Sequence, residues 1–371
     1  MTAIKLQNRI KILDSIRGIA ALVVLFHHIF KLNTLAFKEN LNDWMFALSA
    51  FISERNHDAV LVFFIISGIS IGLTVSKRPV SSTDSCNQYL YRRFKRILPI
   101  YWLSLFVALF FGLVMGQGHL KDFSMFNLLG NFFFLQTSSS IPQSWFVPYG
   151  LNGPLWSLAF EMFFYLLFPI LFILSRKYFP DYSIYTKYSV MLFVALCCIV
   201  FNKKVIFIPY LFFYVCFLIW YQGYVISKFF TGGKTHHIFF LVNGILGISL
   251  LFLRDIIPSD SLQVIGKGMC IGSTFYFGVI VFSKCNFSSA GDFINKAFFN
   301  IGEGSYAIYA LHYPILLYFQ SIAMNLVYQI LIMVVYIVFC IKLERISTQW
   351  KVSFLKVDYF SPVKAMQTIF K

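Results

Sequence analysis

The chain has 371 residues, of which 58% are hydrophobic and 12% charged, with a mean hydropathy of +0.73 and a formal net charge of +16. A soluble domain carries about 25% charged residues, and the apolar runs here reach the roughly 20 residues a spanning helix needs, so the composition excludes a soluble globular protein. The alternating short strands of a membrane barrel are absent, and the Lys and Arg sit in short loops between apolar runs rather than on a polar face, which excludes nucleic acid as the partner of the positive charge.

In chain order, the first span is predicted over 13–32, followed by a mixed polar and aromatic segment, 33–58, with an interfacial helix around Trp44. The second span covers 59–76. A basic loop with Lys77, Arg78, Arg92, Arg93, Lys95 and Arg96 leads to the third span, 97–115. The segment 116–150 is rich in Gly, Ser, Pro and aromatic residues, and Phe132–Leu135 is placed to dip into the membrane. The fourth span covers 153–174, the fifth 188–201 (a short one), the sixth 205–226, the seventh 238–253 and the eighth 262–282. An amphipathic stretch, 286–304, precedes the ninth span at 305–323 and the tenth at 325–341; residues 344–371 form a basic tail behind a membrane domain over 1–343. The reading is an all-α polytopic membrane protein of about ten transmembrane helices.

The charges orient it. With both termini cytoplasmic, the outward segments hold only Lys31, Lys38, Arg55, Lys121, Lys203, Lys204, Arg254 and Lys267 of the 31 Lys and Arg, as the positive-inside rule requires. No signal peptide cleavage is expected, because no small-residue site follows Lys5, Arg9 and Lys11. The seven cysteines lack metal-ligand spacing and read as small packing residues; no metal is expected.

The chemistry concentrates in the first span, Leu13-Asp14-Ser15-Ile16-Arg17 through Phe26-His27-His28. Eleven residues turn a helix through three full turns and about 20°, and rise roughly 16 Å, so Arg17 and His28 share a face. Asp14, three before Arg17, is within pairing reach. Ionisable groups in a spanning helix face a protein interior or a water-filled cavity, so this helix is expected to line a polar shaft. In the fourth span Trp156, Ser157 and Glu161 lead a carboxylate into the membrane from the outside, with Ser157, Glu161 and Tyr165 on one face. Counted from the span ends, Glu161 and His28 lie at similar depth, where a carboxylate could orient an imidazole that takes a proton from a hydroxyl. His27 points about 100° away and reads as structural. Arg93 and Arg96, three apart at the start of the third span, read equally as a topology anchor and as a bidentate phosphate clamp. His312, in Ser305-Tyr306-Ala307-Ile308-Tyr309-Ala310-Leu311-His312-Tyr313-Pro314, is expected about 10 Å in from the cytoplasmic side, and lining or structural bonding fit it equally. His57, His119, His236 and His237 fall in loops and receive no role. No Gly-rich phosphate loop, His-Glu-x-x-His or nucleophile elbow is present.

Taken together these residues resemble acyltransferase family 3, the integral-membrane acyltransferases. Arg17 to His28 matches the family's Arg-x10-His signature. Phe63-Phe64-Ile65-Ile66-Ser67-Gly68 matches Phe-Phe-x-x-Ser-Gly, which brings Ser67 into the site as a supporting residue. Arg93 and Arg96 with Pro99 and Tyr101 match the start of the third span; Trp156 to Glu161 matches Trp-Ser-Leu-x-x-Glu, and Ser305 to Pro314 the late Ser-Tyr-x-x-Tyr-x-x-His-x-Pro pattern. The chain departs in having Met162 and Phe163 where many members have Glu and Gln; this form is similar to that of members near the exopolysaccharide-modifying branch. The C-terminal esterase-like domain of some members is not expected.

The resemblance implies an enzyme of the bacterial inner membrane, with no bound cofactor, that moves an acyl group, most often acetyl from cytoplasmic acetyl-CoA, to a sugar hydroxyl of a lipid-linked or surface glycan such as O-antigen or exopolysaccharide, in the company of glycan-assembly proteins. Arg93 and Arg96 would hold the CoA phosphates, Arg17 would guide the donor, His28 would act as base or carry the acyl group, and Glu161 would balance His28. Peptidoglycan, a secreted glycolipid or an antibiotic are alternative acceptors. A glycan transporter or flippase is the competing class, although residues 1–185 and 186–371 show no matching repeat of the kind transporters carry.

Overall fold

The computed structural model describes residues 3–138, 141, 144–204, 210–232, 237–256, 260–282 and 289–349. The start of the predicted sixth span, the first residues of the amphipathic stretch, His236, Cys285 and the tail from residue 350 lie outside the described residues, as do the side chains of Lys5 and Arg9.

The described chain is built of helices: α1 Ala3–Leu32, α2 Thr34–Asn40, α3 Asp43–Ser53, α4 Asn56–Lys77, α5 Thr83–Val114, α6 Met125–Phe132, α7 Trp156–Tyr178, α8 Ile184–Lys204, α9 Leu211–Phe230, α10 His237–Ile256, α11 Asp260–Phe282, α12 Ser289–Glu303, α13 Ser305–Ser321 and α14 Leu326–Gln349. Among the described residues eight helical segments are long and apolar enough to cross a membrane. The remaining two predicted spans correspond to α10, apolar over His237–Leu253, and to the 17-residue α13. The fifth span is not short: α8 runs 21 residues. The expected boundary at 343/344 also falls inside an element, because α14 continues to Gln349.

Large apolar side chains stand exposed along α8 (Val190, Phe193), α10 (Leu241, Ile245, Phe252) and α14 (Leu331, Val335, Phe339). Such a belt would drive a soluble protein to aggregate and is what a bilayer covers. Around Trp44, α3 exposes Trp44, Leu48 and Phe51 in the same way. The buried centre is α9, whose Trp220, Phe217 and Leu218 are fully enclosed.

Two close helix crossings rest on glycine. A Cβ on Gly68 of α4 would overlap the Trp220 carbonyl of α9, and one on Gly223 of α9 would overlap the Ile65 carbonyl of α4. Gly18 of α1 and Gly302 of α12 meet backbone the same way. In a bilayer, where burial gives no hydrophobic gain, such small-residue contact is a main source of helix association.

Between α6 and α7 the backbone is irregular, and Gln136, Thr137, Tyr149 and Asn152 in it are buried, the condition under which irregular backbone is tolerated at depth. Asn131 Nδ2 donates to the Val147 carbonyl (2.8 Å) and its Oδ1 accepts from the Tyr149 amide (3.0 Å). Tyr101 OH donates to the Asn131 carbonyl (2.7 Å), and Gln136 Nε2 donates to Tyr101 OH (2.8 Å) and to the Leu155 carbonyl (3.0 Å). Phe134 takes a left-handed φ of 60° with its ring stacked on Tyr101 at 3.9 Å, while Phe132, Phe133 and Leu135 are exposed. This knot fixes where α7 begins, and hence where Ser157 and Glu161 point.

Candidate active site

The α1 helix carries the site along its length. Arg17 Nη1 donates to Asp14 Oδ1 at 2.7 Å, the expected pairing, and Nη2 reaches Ser70 Oγ of α4 at 3.4 Å. A cavity of about 50 Å³ opens beside it, lined by Arg17, Ser67, Arg96, Ser157, Glu161, Tyr165, Tyr306 and Tyr309, among others. Its volume suits a few waters. Five helices supply these groups: α1, α4, α5, α7 and α13.

Glu161 is held tightly. Its Oε1 accepts from Ser67 Oγ (2.9 Å) and Tyr165 OH (2.5 Å), and Trp220 Nε1 of α9 donates to the same Ser67 hydroxyl (3.1 Å). Ser157 Oγ donates to Tyr309 OH (2.8 Å), which donates to the Pro154 carbonyl (2.9 Å).

These partners place Glu161 away from His28. Ser70 faces Arg17 across the antiparallel α1–α4 pair, and Ser67 is one turn further out, so Glu161 lies about 12 Å short of His28 along α1. The similar depth read from span ends fails because α4 sets the carboxylate's level, not the start of α7. What His28 meets instead is aromatic: His312 with ring centroids 5.0 Å apart, Tyr313 at 4.7 Å and His27 at 4.8 Å. His312 is deeper than expected because α13 starts beside Arg17, where Ser305 lines the cavity, rather than at the membrane surface.

The tautomer of His312 follows from its bonds. Nδ1 faces two carbonyls, Tyr309 O (2.8 Å) and Ile308 O (3.1 Å), which can only accept, so Nδ1 carries the proton. Nε2 is then a bare acceptor, and it is buried with no hydrogen-bond partner among the described residues. His27 Nδ1 contacts the Ser53 carbonyl at 2.8 Å, the structural placement read from its angle.

The two arginines of the third-span motif separate. Arg96 lines the cavity with Arg17. Arg93 is buried at 8% exposure, its guanidinium over the rings of Tyr89 and Tyr165 and its Nη2 donating to Thr74 Oγ1 at 3.3 Å. On the basic side of the cavity, sharing Ser70 with it, lies a vestibule of about 350 Å³ lined by Asp14, Thr74, Lys77, Arg78 and Arg92. On the opposite side a cavity of about 380 Å³ is lined by Trp156, His57, Asp260, Gln263 and Lys267, among others; Trp156 belongs to it and not to the narrow cavity.

Sequence reasoning missed Glu344, assigned to the tail. It is buried, and its Oε2 accepts from the Ala307 amide (3.1 Å) in the first turn of α13, where a carboxylate satisfies an orphan donor and meets the positive helix end. It missed Trp220 as the donor behind Ser67, and gave Lys77, Arg78 and Arg92 no site role. The adjacent Tyr91-Arg92 was the available signal for the last; nothing local marks Trp220 or Glu344.

Comparisons with known proteins agree with the motif pattern. Over 172 residues the chain is 24% identical to the peptidoglycan O-acetyltransferase OatA of Listeria monocytogenes serovar 1/2a (strain ATCC BAA-679 / EGD-e), covering 45% of this chain and 24% of OatA. Over 120 residues it is 30% identical to the acyltransferase MdmB of Streptomyces mycarofaciens, covering 32% of this chain and 29% of MdmB. The chain thus spans less than a third of either relative's length. No solved structure matches. The acyltransferase domain of family 3 matches residues 10–343, nearly the whole described helical body, and the chain therefore belongs to the acyltransferase 3 family.

Proposed function

We propose that the protein is a multi-pass membrane O-acyltransferase that takes an acyl group, acetyl in the simplest case, from acyl-CoA in the cytoplasm and delivers it to a sugar hydroxyl of a surface or lipid-linked glycan in a bacterial inner membrane. The observation that carries this reading is the alignment along α1 of a basic vestibule, a polar cavity and a histidine pair. Lys77, Arg78 and Arg92 offer the CoA phosphates separate charge-assisted contacts. Arg17 and Arg96 continue the positive path inward. Arg93, stacked behind Tyr165, supports the wall rather than clamping phosphate.

At the far end His28 takes the proton from the acceptor hydroxyl. The oxygen attacks the thioester carbonyl, the carbon–sulfur bond breaks, and the CoA thiolate leaves to be protonated, giving ester and thiol. His312 is the positioning residue: its Nε2 is unpaired and its ring lies 5.0 Å from that of His28, so a rotation of His28 would let Nε2 accept an N–H from it and leave the other His28 nitrogen free as base. Glu161, held by Ser67 and Tyr165, is a fixed carboxyl group lining the same cavity as Arg17 and Arg96, not the partner of His28. Side chains of Phe63, Leu158 and Tyr309 narrow the passage, so donor passage requires them to rotate. The outer cavity, with Trp156 as a flat apolar face amid polar groups, suits a sugar ring.

The test is ester-preserving mass spectrometry of surface glycan from cells with the protein, without it, and with His28→Ala. A positioned general base is worth about 10²–10⁴-fold, so the acyl mass should vanish in the second and fall to trace in the third. Acylation unchanged by His28→Ala in a well-expressed protein would end the catalytic assignment. Glycan masses identical in all three, with glycolipid accumulating on one membrane face when the protein is absent, would favour transport.

A further inference from the structure

A fourth cavity plays no part in this chemistry. Between α7, α8 and α9 lies a cleft of about 580 Å³, within the roughly 300–1,000 Å³ typical of ligand sites. Its walls are Phe168, Phe172, Met191, Tyr221 and Tyr224, with Val190 at the open edge. Phe168 and Tyr224 meet edge-on at 5.0 Å and close its floor.

One end of the cleft is charged. Arg176 closes α7, Lys187 opens α8 and Lys228 is in the last turn of α9, and all three line the cleft. No acidic residue is among its lining. Each cation is already turned along the cleft wall: Arg176 over the Phe172 ring at 5.8 Å, Lys228 over Tyr224 at 5.5 Å, and Lys187 Nζ donating to the Ser175 carbonyl at 3.3 Å. Cations placed only to anchor helix ends would spread along the membrane surface; these converge from three helices on the mouth of one apolar slot. An apolar slot with a positive end is complementary to a chain carrying a negative head.

We propose that this cleft is a binding site for an anionic phospholipid, its phosphate among Arg176, Lys187 and Lys228 and an acyl chain along Phe168, Phe172, Met191 and Tyr221. The site is separate from the cavity on α1, so its occupancy stands or falls independently of the acyl-transfer reading.

The test uses the full chain purified in detergent, with lipid binding followed by native mass spectrometry. The probes are phosphatidylglycerol, phosphatidylcholine of the same chains, and inorganic phosphate as competitor. A basic residue near the headgroup is worth roughly fivefold in affinity, so phosphatidylglycerol should bind on the order of 100-fold more tightly than phosphatidylcholine. The Arg176→Gln, Lys187→Gln, Lys228→Gln triple variant should bring it to the phosphatidylcholine level. Met191→Trp, which fills the slot and keeps all three cations, should expel both lipids. Equal affinity for the two lipids, or phosphatidylglycerol binding unchanged by Met191→Trp, overturns the proposal even where the triple variant does not fold. Millimolar phosphate displacing phosphatidylglycerol with Met191→Trp silent would identify a free-phosphate site instead.

Discussion

At the scale of single residues, the site divides into a charged half and an imidazole half, and the two respond differently to substitution. His312→Phe keeps a ring in place and removes the bare Nε2. It should lower kcat on the order of 10-fold to 100-fold, less than His28→Ala, because it loosens the base without deleting it. The donor KM should stay near its original value, since the vestibule proposed to hold the donor phosphates lies at the other end of α1. Steady-state kinetics with varied acyl-CoA separate the two. Arg92→Gln should do the reverse, raising donor KM severalfold while leaving kcat largely intact, as removal of a contact made equally in ground and transition states does.

At the scale of elements, the site depends on how closely α4 and α9 approach. Gly223→Ala drives a methyl into the Ile65 carbonyl, and backbone cannot rotate out of the way as a side chain can. Overpacking of this kind costs about 1–3 kcal/mol and separates Trp220 from Ser67. Thermal unfolding in detergent should show a lower Tm, and residual folded protein should have lost activity beyond what the folded fraction explains. The elements themselves were legible in sequence because a spanning helix announces itself by twenty apolar residues. Their relative heights were not. The Arg17–Asp14 pair was readable since it depends on spacing within one helix. The pairing of His28 with His312, and of Glu161 with Ser67 and Trp220, depends on which residue of one helix stands opposite which of another. No single-helix periodicity encodes that register. Glu344 was missed for a related reason: it caps a helix 37 residues earlier in the chain.

At the scale of the whole molecule, the ends of the described chain lie together. Asp14 of α1 packs against Gly302 of α12, and Arg345 of α14 pairs with Glu303 at 2.6 Å. The excess of Lys and Arg on that side predicts that it faces the cytoplasm. A cysteine added at either terminus of a cysteine-free variant should react with an impermeant maleimide only after the membrane is permeabilised. One replacing Trp44, exposed on α3 at the other side, should react in intact spheroplasts. Labelling of a terminal cysteine in intact spheroplasts would invert the topology and with it the side proposed for donor entry.

The narrow cavity beside Arg17 has a consequence for the cell's energy supply. A protein with a cavity toward each face of the membrane that must hand a chemical group across is one missing side chain away from a short circuit of the proton gradient. Here the basic vestibule and the narrow cavity of about 50 Å³ share Ser70, whereas the narrow cavity and the outer one have no lining residue in common, and a positive pair such as Arg17 and Arg96 would repel hydronium and sodium alike, as arginine does in water-selective pores. The guanidiniums proposed to draw an anionic donor inward would then also act as the insulator between compartments.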